Sequence, residues 1–358
     1  MLPLPLARFC LFLAAGLSGC FAPTFGDGAI ACGEAGCPPG LTCGDDGFCY
    51  GDPPGDPGNS DDPGATSREL MLAVGHDSGV RLYAMCAGQL RSVWTAPVGS
   101  EVFQVAWGDI DGDGIPELAA ANMGGAAVIY TRTPDGFGER LRPGDVAPNR
   151  AIALLDIDGD GDDDLVVGHH GGLLRLYRSN GNTFESIWSS PATHSVWEFA
   201  VGDFDGDGDP DLAVAVKQAA DMVYRNDGGA LSLYWSTPHL DETEAVAWGD
   251  VDGDGLLELA IGGTDAPTRI YRFDGAIFSK LWESPLYRDD AEALDFGDYD
   301  LDGRLDLAIG NWDDPDRIFR NSAGGLVEAW SSEAKADGQG HGHGGTETIA
   351  WGDFDGDG

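Results

Sequence analysis

Five times the chain spells Asp-x-Asp-x-Asp-Gly-x-x-Asp/Glu, starting at Asp109, Asp156, Asp203, Asp250 and Asp298, at intervals of 47, 47, 47 and 48 residues. A sixth copy opens at Asp353, 55 residues further on, and Gly358 falls inside it. Carboxylates at positions 1, 3, 5 and 9, with a backbone carbonyl at position 7, make an oxygen-rich cage for a hard cation. Glycine at position 6 permits the sharp turn the cage needs. The candidate ligands are Asp109, Asp111, Asp113, Ile115 (carbonyl) and Glu117 in the first loop. The second offers Asp156, Asp158, Asp160, Asp162 and Asp164, and the third Asp203, Asp205, Asp207, Asp209 and Asp211. The fourth offers Asp250, Asp252, Asp254, Leu256 and Glu258, the fifth Asp298, Asp300, Asp302, Arg304 and Asp306, and the sixth begins with Asp353, Asp355 and Asp357. In the fifth, Leu301 replaces the usual glycine at position 4.

Crowded carboxylates repel one another until a divalent ion neutralises them. Ca²⁺ suits an irregular, many-oxygen cage better than Mg²⁺, which demands a tight octahedron and keeps its waters. No His or Cys lies in any loop, which disfavours soft metals. The bidentate Glu of an EF-hand at position 12 is missing. A site binding at ~10⁻⁴ M in ~10⁻³ M external Ca²⁺ contributes roughly 1.4 kcal/mol. Five such sites approach the whole net stability of a domain, about 7 kcal/mol, so the expected role is that of a structural staple.

The elements around each loop read as short strands. In the module from Thr243, Ala245-Val246-Ala247-Trp248 runs into the Asp250 loop and 257–261 leaves it. Arg269-Ile270-Tyr271-Arg272 alternates, Phe273-Asp274-Gly275 turns, and 277–282 closes the unit before Ser284-Pro285. Four short antiparallel strands per module, with no helical period, predict an all-β β-propeller of four-stranded antiparallel blades. Six blades are visible over 69–358, and the cut through the sixth loop implies a seventh in the complete chain. The alternative is a six-bladed ring closed by pairing 346–351 with the blade that starts at Glu69. Tyr83, Tyr130, Tyr177, Tyr224, Tyr271 and Phe319 keep the same period, as do Trp94, Leu141, Trp188, Trp235, Trp282 and Trp330. They read as packing anchors between neighbouring blades.

The formal charge is −41, from 61 acids against 20 Lys+Arg, and 23 of the acids fill positions 1, 3, 5 and 9 of the loops. That charge makes nucleic acid an unlikely partner by repulsion. Residues 1–19 read as an export signal: Arg8 begins it, 9–17 is apolar, and Leu17-Ser18-Gly19-Cys20 resembles a bacterial lipobox. A lipobox implies lipidation of Cys20 and attachment to the membrane, with the outer membrane of the cell envelope as the expected location. The alternative is an ordinary signal peptide with a chance Cys. Cys32, Cys37, Cys43 and Cys49 lie within 18 residues of residues 20–50 and predict two disulfides, with three pairings open. Zinc is disfavoured because paired Cys-x-x-Cys spacing is absent, and Cys86 is left over. Residues 51–68, dominated by Pro, Gly and Asp, read as a stiff solvated tether.

Residues 69–358 resemble the FG-GAP/VCBS repeat family, which includes the propellers of integrin α subunits. The resemblance rests on the acidic hairpins and on the preceding Trp107-Gly108, Trp248-Gly249, Phe296-Gly297 and Trp351-Gly352. The Gly-Ala-Pro half of the family name has its nearest approach in Asp265-Ala266-Pro267. The resemblance implies a seven-bladed ring and Ca²⁺ in the hairpins. It also implies binding of an extracellular protein or glycan, as in adhesion, through the face opposite them. That face carries the loops that break the repeat, including His169-His170, His194, His239, Trp312-Asp313-Asp314, Tyr287-Arg288-Asp289-Asp290 and the insertion 333–345 with His341 and His343. The competing expectation is a polysaccharide-active lyase or hydrolase on a propeller scaffold. No nucleophile or general base has a local signature, so no catalytic residue is assigned.

Overall fold

The computed structural model describes residues 71–332 apart from 77, 87–88, 97–100, 134–135, 145–146 and 286–288. Outside that span it describes the strands Cys10–Phe12, Ile30–Ala31, Thr42–Cys43 and Phe48–Tyr50 and residues 346, 348, 349 and 351. The assignments of Cys20, of the disulfide side chains and of the sixth loop lie outside the described side chains.

Every described element is a strand, and every pairing is antiparallel. The second blade shows the unit most simply, as Val102–Gly108, Glu117–Asn122, Val128–Thr133 and Gly136–Leu141 pair in sequence order. The blade beginning at Glu242–Gly249 continues through Glu258–Ala266, Arg269–Phe273 and Phe278–Glu283, close to the strands read from the sequence. The sixth follows as Asp289–Gly297, Asp306–Asn311, Arg317–Ser322 and Gly325–Ser331. In the third and fourth blades, strands join end to end into Asp164–Ser179 and Phe184–Gly202. The architecture is the propeller-like one that the repeat predicts.

Two sets of contacts hold blade to blade. The period-locked tryptophan on one blade's outer strand meets the next blade's tyrosine or phenylalanine edge-on or tilted. The centroid distances are 5.1 Å for Trp94–Tyr130, 5.4 Å for Trp188–Tyr224, 4.9 Å for Trp235–Tyr271 and 5.1 Å for Trp282–Phe319. Leu141 and Tyr177 share a core cluster at the equivalent junction. Nearer the axis, the aromatic-Gly-Asp motif acquires its reason. At three junctions the aromatic ring lies on the glycine of the blade before, Trp248 on Gly202, Phe296 on Gly249 and Trp351 on Gly297, while Gly108 meets Leu154. A methyl group on Gly249 would come within 2.6 Å of the Phe296 ring. Where that glycine is absent, at Leu155, the next blade carries the smaller Val201 in place of the aromatic.

The innermost strands of five blades, together with 348, 349 and 351, line a cavity of about 420 Å³. This is the propeller's central channel. Side chains from one strand hold the otherwise open edge of the next. Gln104 Oε1 accepts from Ile152 N (2.8 Å), Glu198 Oε2 from Val246 N (3.0 Å) and Asp295 Oδ2 from Trp351 N (2.8 Å). The segment ending at Trp351 therefore follows the sixth blade. The free edge of Met71–His76 is occupied by Cys10–Phe12, with Leu11 opposite Val74. Cys10–Phe12 falls within the stretch read as an export signal, so loss of the leader would bare this strand.

Candidate cation sites

Each acidic hairpin is shaped first by its own backbone. The position-1 aspartate gathers the amides of the turn: Asp156 accepts from Gly159, Asp160 and Gly161 at 2.8, 3.1 and 3.0 Å. Asp203 and Asp250 repeat this pattern. The position-5 aspartate accepts from the position-7 amide, as Asp113 does from Ile115 (2.8 Å) and Asp254 from Leu256 (2.9 Å). Positions 4 and 6 both adopt left-handed backbone: Gly159 and Gly161 have φ of 74° and 94°. Leu301 is held at φ 59° in the position-4 slot of the fifth loop.

Position 9 plays a different part. Glu117, Asp164, Asp211, Glu258 and Asp306 are all at most 2% exposed. Asp211 accepts from Phe204 N (3.1 Å) and from Asn226 N (2.8 Å), sewing the loop to the third strand. Asp164 and Asp306 make the same pair of bonds. Each oxygen keeps a second lone pair, so this role does not remove it from a ligand set. Burial pushes Asp164 up to about 6, Asp211 to about 7 and Glu258 to about 7, against the lowering effect of those amides. These are carboxyl groups that want a nearby positive charge.

Position 3 shows where that charge belongs. One oxygen of each aspartate faces an arginine: Asp111 pairs with Arg140 (2.6 Å), Asp158 with Arg178 (2.9 Å), Asp205 with Arg225 (3.1 Å), Asp252 with Arg272 (2.8 Å) and Asp300 with Arg320 (3.5 Å). The other oxygen of Asp111, Asp158 and Asp205 is buried with no hydrogen-bond partner, and so is Glu258 Oε1. Such orphaned acceptors are costly unless something fills the site. Ligand atoms of Asp109, Asp111 and Glu117 lie within 4.8 Å of one another. So do those of Asp156, Asp158 and Asp160, of Asp203, Asp205 and Asp211, of Asp250, Asp252 and Asp254, and of Asp298, Asp300 and Asp302. Anionic oxygens, converging at that spacing with unsatisfied lone pairs, fit a hard cation of the size and habit of Ca²⁺.

The arginines were not singled out from the sequence. Arg178, Arg225, Arg272 and Arg320 directly follow the period-locked Tyr177, Tyr224, Tyr271 and Phe319, so their spacing was a readable signal. Arg140 was not readable, since in the second blade Thr131 holds that place and the arginine comes from the neighbouring strand. A further tie crosses between blades. Ser179 Oγ, Asn226 Nδ2 and Asn321 Nδ2 donate to the position-2 carbonyls of Ile110, Ile157 and Val251 in the preceding loops, at 2.6, 2.9 and 2.6 Å. At the remaining junction two phenylalanines replace the bond, Phe204 against Phe273 at 4.9 Å.

Among known proteins, the FG-GAP-like repeat matches residues 156–214, 250–309 and 298–358, and the FG-GAP repeat matches 195–234. The chain thus carries FG-GAP repeats over most of its loops, and the hairpin at Asp109 shares their geometry from outside the matched residues. No curated protein sequence matches the chain. Among solved structures, the crystal structure of Saccharomyces cerevisiae Sqt1 is similar with a TM-score of 0.55 at 15% identity, over 74% of this chain and 70% of that one. At that identity the likeness concerns fold alone.

Proposed function

We propose that this chain of FG-GAP repeats is a calcium-stapled binding module at the cell surface. The observation that carries the calcium reading is the set of orphaned position-3 oxygens, each beside a second oxygen already held by arginine. Asp111, Asp158 and Asp205 would contribute those oxygens, with the position-1 and position-5 aspartates and the buried position-9 carboxylates around them. Bound Ca²⁺ supplies the positive charge that these clustered acids lack. The protein's own residues do the rest: amides shape the turn, arginine orients position 3, and position 9 ties the turn to the blade.

The binding role is supported by the division of labour between the two faces. The hairpin face is committed to cages, and the opposite face carries loops that break the repeat, such as those holding His169, His170 and Lys217. The occupant of that face is an extracellular protein or glycan, and Cys20 anchors the chain by lipid to the outer membrane. Radiolabelled palmitate incorporation that disappears in Cys20→Ser tests the anchor. Screening the calcium-loaded chain on glycan and protein arrays tests the binding role, and release of product from a polysaccharide would replace it with an enzyme. For the staples, chelation should lower the melting temperature by about 10 °C or more, from roughly 1.4 kcal/mol per site. An unchanged melt would remove them.

A further inference from the structure

Beside the acidic hairpins, neighbouring blades close over one another at some junctions and not at others. In the third and fourth blades, the turn between the last two strands comes down on the loop of the blade before. A methyl group on Gly181 would meet Asp111 Cβ at 3.4 Å, and one on Gly229 would meet Asp158 Cβ at 3.3 Å. The residue that caps each turn fixes this posture: Gly181 N donates to Ser179 Oγ (3.1 Å) and Gly229 N to Asn226 Oδ1 (2.9 Å). The residue at the bulge of the preceding outer strand adds a tie at two junctions. Arg140 donates to Gly181 O, and Tyr234 Oη donates to Ala276 O (2.7 Å).

Between the fifth and sixth blades neither device operates. The bulge residue there is Leu281, which has no side-chain donor and is 42% exposed. The turn of the sixth blade extends its ladder by one more pair, Ser322 opposite Gly325. Gly324 then stands clear of the fourth loop, and a methyl group on it would find only Ser322 Oγ, at 3.9 Å. A cavity of about 540 Å³ opens, lined by Asp250 and Asp252 of the fourth loop and by Leu281 and Trp282. Asn321 and Arg304 line it too. Asn321 is 8% exposed and its Nδ2 donates to Val251 O (2.6 Å), but its Oδ1 lacks the turn amide that Asn226 has. Arg304 holds position 7, a place that leans over the preceding loop, as Leu256 does over Gly206. Its guanidinium makes no ion pair with any described residue.

We propose that this cavity binds a neutral sugar ring, with Arg304 and Asn321 for its hydroxyl groups and Leu281 and Trp282 for its apolar face. The volume is in the range of small-ligand pockets, with apolar side chains and a few polar groups in its lining. A sugar hydroxyl both donates and accepts, so one ring can serve the Asn321 oxygen and the Arg304 donors together. A purely apolar ligand would bury the Asn321 oxygen without a donor, which is costly. An anion fits less well, because Asp250 and Asp252 share the lining and the net charge of −41 repels it. The site lies on the hairpin face and is independent of the binding role assigned to the opposite face.

The test measures saturation transfer by NMR from the full chain, in saturating calcium, to glucose, galactose and mannose. Each is titrated to about 50 mM, since so few ligand atoms support roughly millimolar binding. Two variants alter the cavity. Ala323→Trp fills it from the exposed turn, and Arg304→Leu removes the guanidinium while keeping the residue that position 7 carries in the fourth loop, Leu256. Lys280→Ala is the control, removing the same unit of charge from outside the cavity. The expected result is transfer to at least one hexose, about tenfold weaker binding in both cavity variants, and affinity within about twofold of wild type in the control. Affinity retained in both cavity variants, or lost equally in the control, overturns the site. Absence of transfer to all three hexoses overturns the sugar assignment. Glucuronate bound more tightly than glucose overturns the preference for a neutral ring.

Discussion

Single residues in this repeat expose what each position is for, because the chain contains its own variants. Leu301 sits at φ 59° where the other loops place glycine, and it is 68% exposed, so little packing compensates. Left-handed backbone costs a side-chain-bearing residue about 1–2 kcal/mol, partly offset by the entropy glycine loses on folding. Leu301→Gly should therefore raise stability by about 0.5–1 kcal/mol, seen as a higher melting temperature in calcium. Glu198 is a second case. It does for Val246 what Gln104 does for Ile152, but as an acid deep in the channel wall. Burial pushes it up to about 8, against the lowering effects of the Val246 amide and Arg150. A raised carboxyl is held protonated in the folded state. The stability linked to it is complete below the unfolded value and is lost as pH climbs through about 8. Glu198 is half-buried, which softens the effect. Between pH 6 and 9, Glu198→Gln should flatten the fall in melting temperature by a few degrees, about 1–2 kcal/mol, and change little at pH 5. An identical pH profile in both proteins would show that Glu198 is not the group responsible.

Among the elements, the outer tryptophan and the third-strand tyrosine of the next blade join modules that pair no backbone with each other at that point. Trp235 touches both Tyr271 and Phe278, each at 4.9 Å. Trp235→Ala should cost about 3 kcal/mol through lost burial and ring contact. The variant should melt lower in calcium and in chelator alike, which separates packing from cation binding. The anchor role of these aromatics was legible from their period, because six equivalent placements leave packing as the common cause. The arginine clamps were less legible. A lone Arg after an aromatic reads as a solvated strand residue until the fold brings it over the hairpin two strands away, as with Arg225 and Asp205.

Over the whole molecule, stability is expected to pass from neighbour to neighbour. The position-2 residue of each of the first four loops is bound by the following blade, through Ser179, Asn226 and Asn321 or through Phe273. Losing one cation should therefore loosen two blades. Asp205→Asn removes a carboxylate whose Oδ1 has no partner in the folded chain. In calcium the variant should lose about 1–2 kcal/mol relative to wild type, and in chelator the two should converge. A loss of the same size in chelator would mean that Asp205 acts through Arg225 and not through a cation.

The acidic spacing and the 47-residue period were enough, without coordinates, to identify the strands, the blades, the hairpin cages and the aromatic seams. These are local or periodic facts, and each is repeated often enough for chance to be excluded. Tertiary structure alone decided how the modules meet. It showed that Gly202, Gly249 and Gly297 make room for the next blade's ring, and that the position-9 acid is buried as a splice. It also placed Arg150 between the rings of Phe103 and Trp197. Those features depend on which side chains face one another across blades some 47 residues apart, and pattern along a chain carries no record of that facing until the sheets are packed.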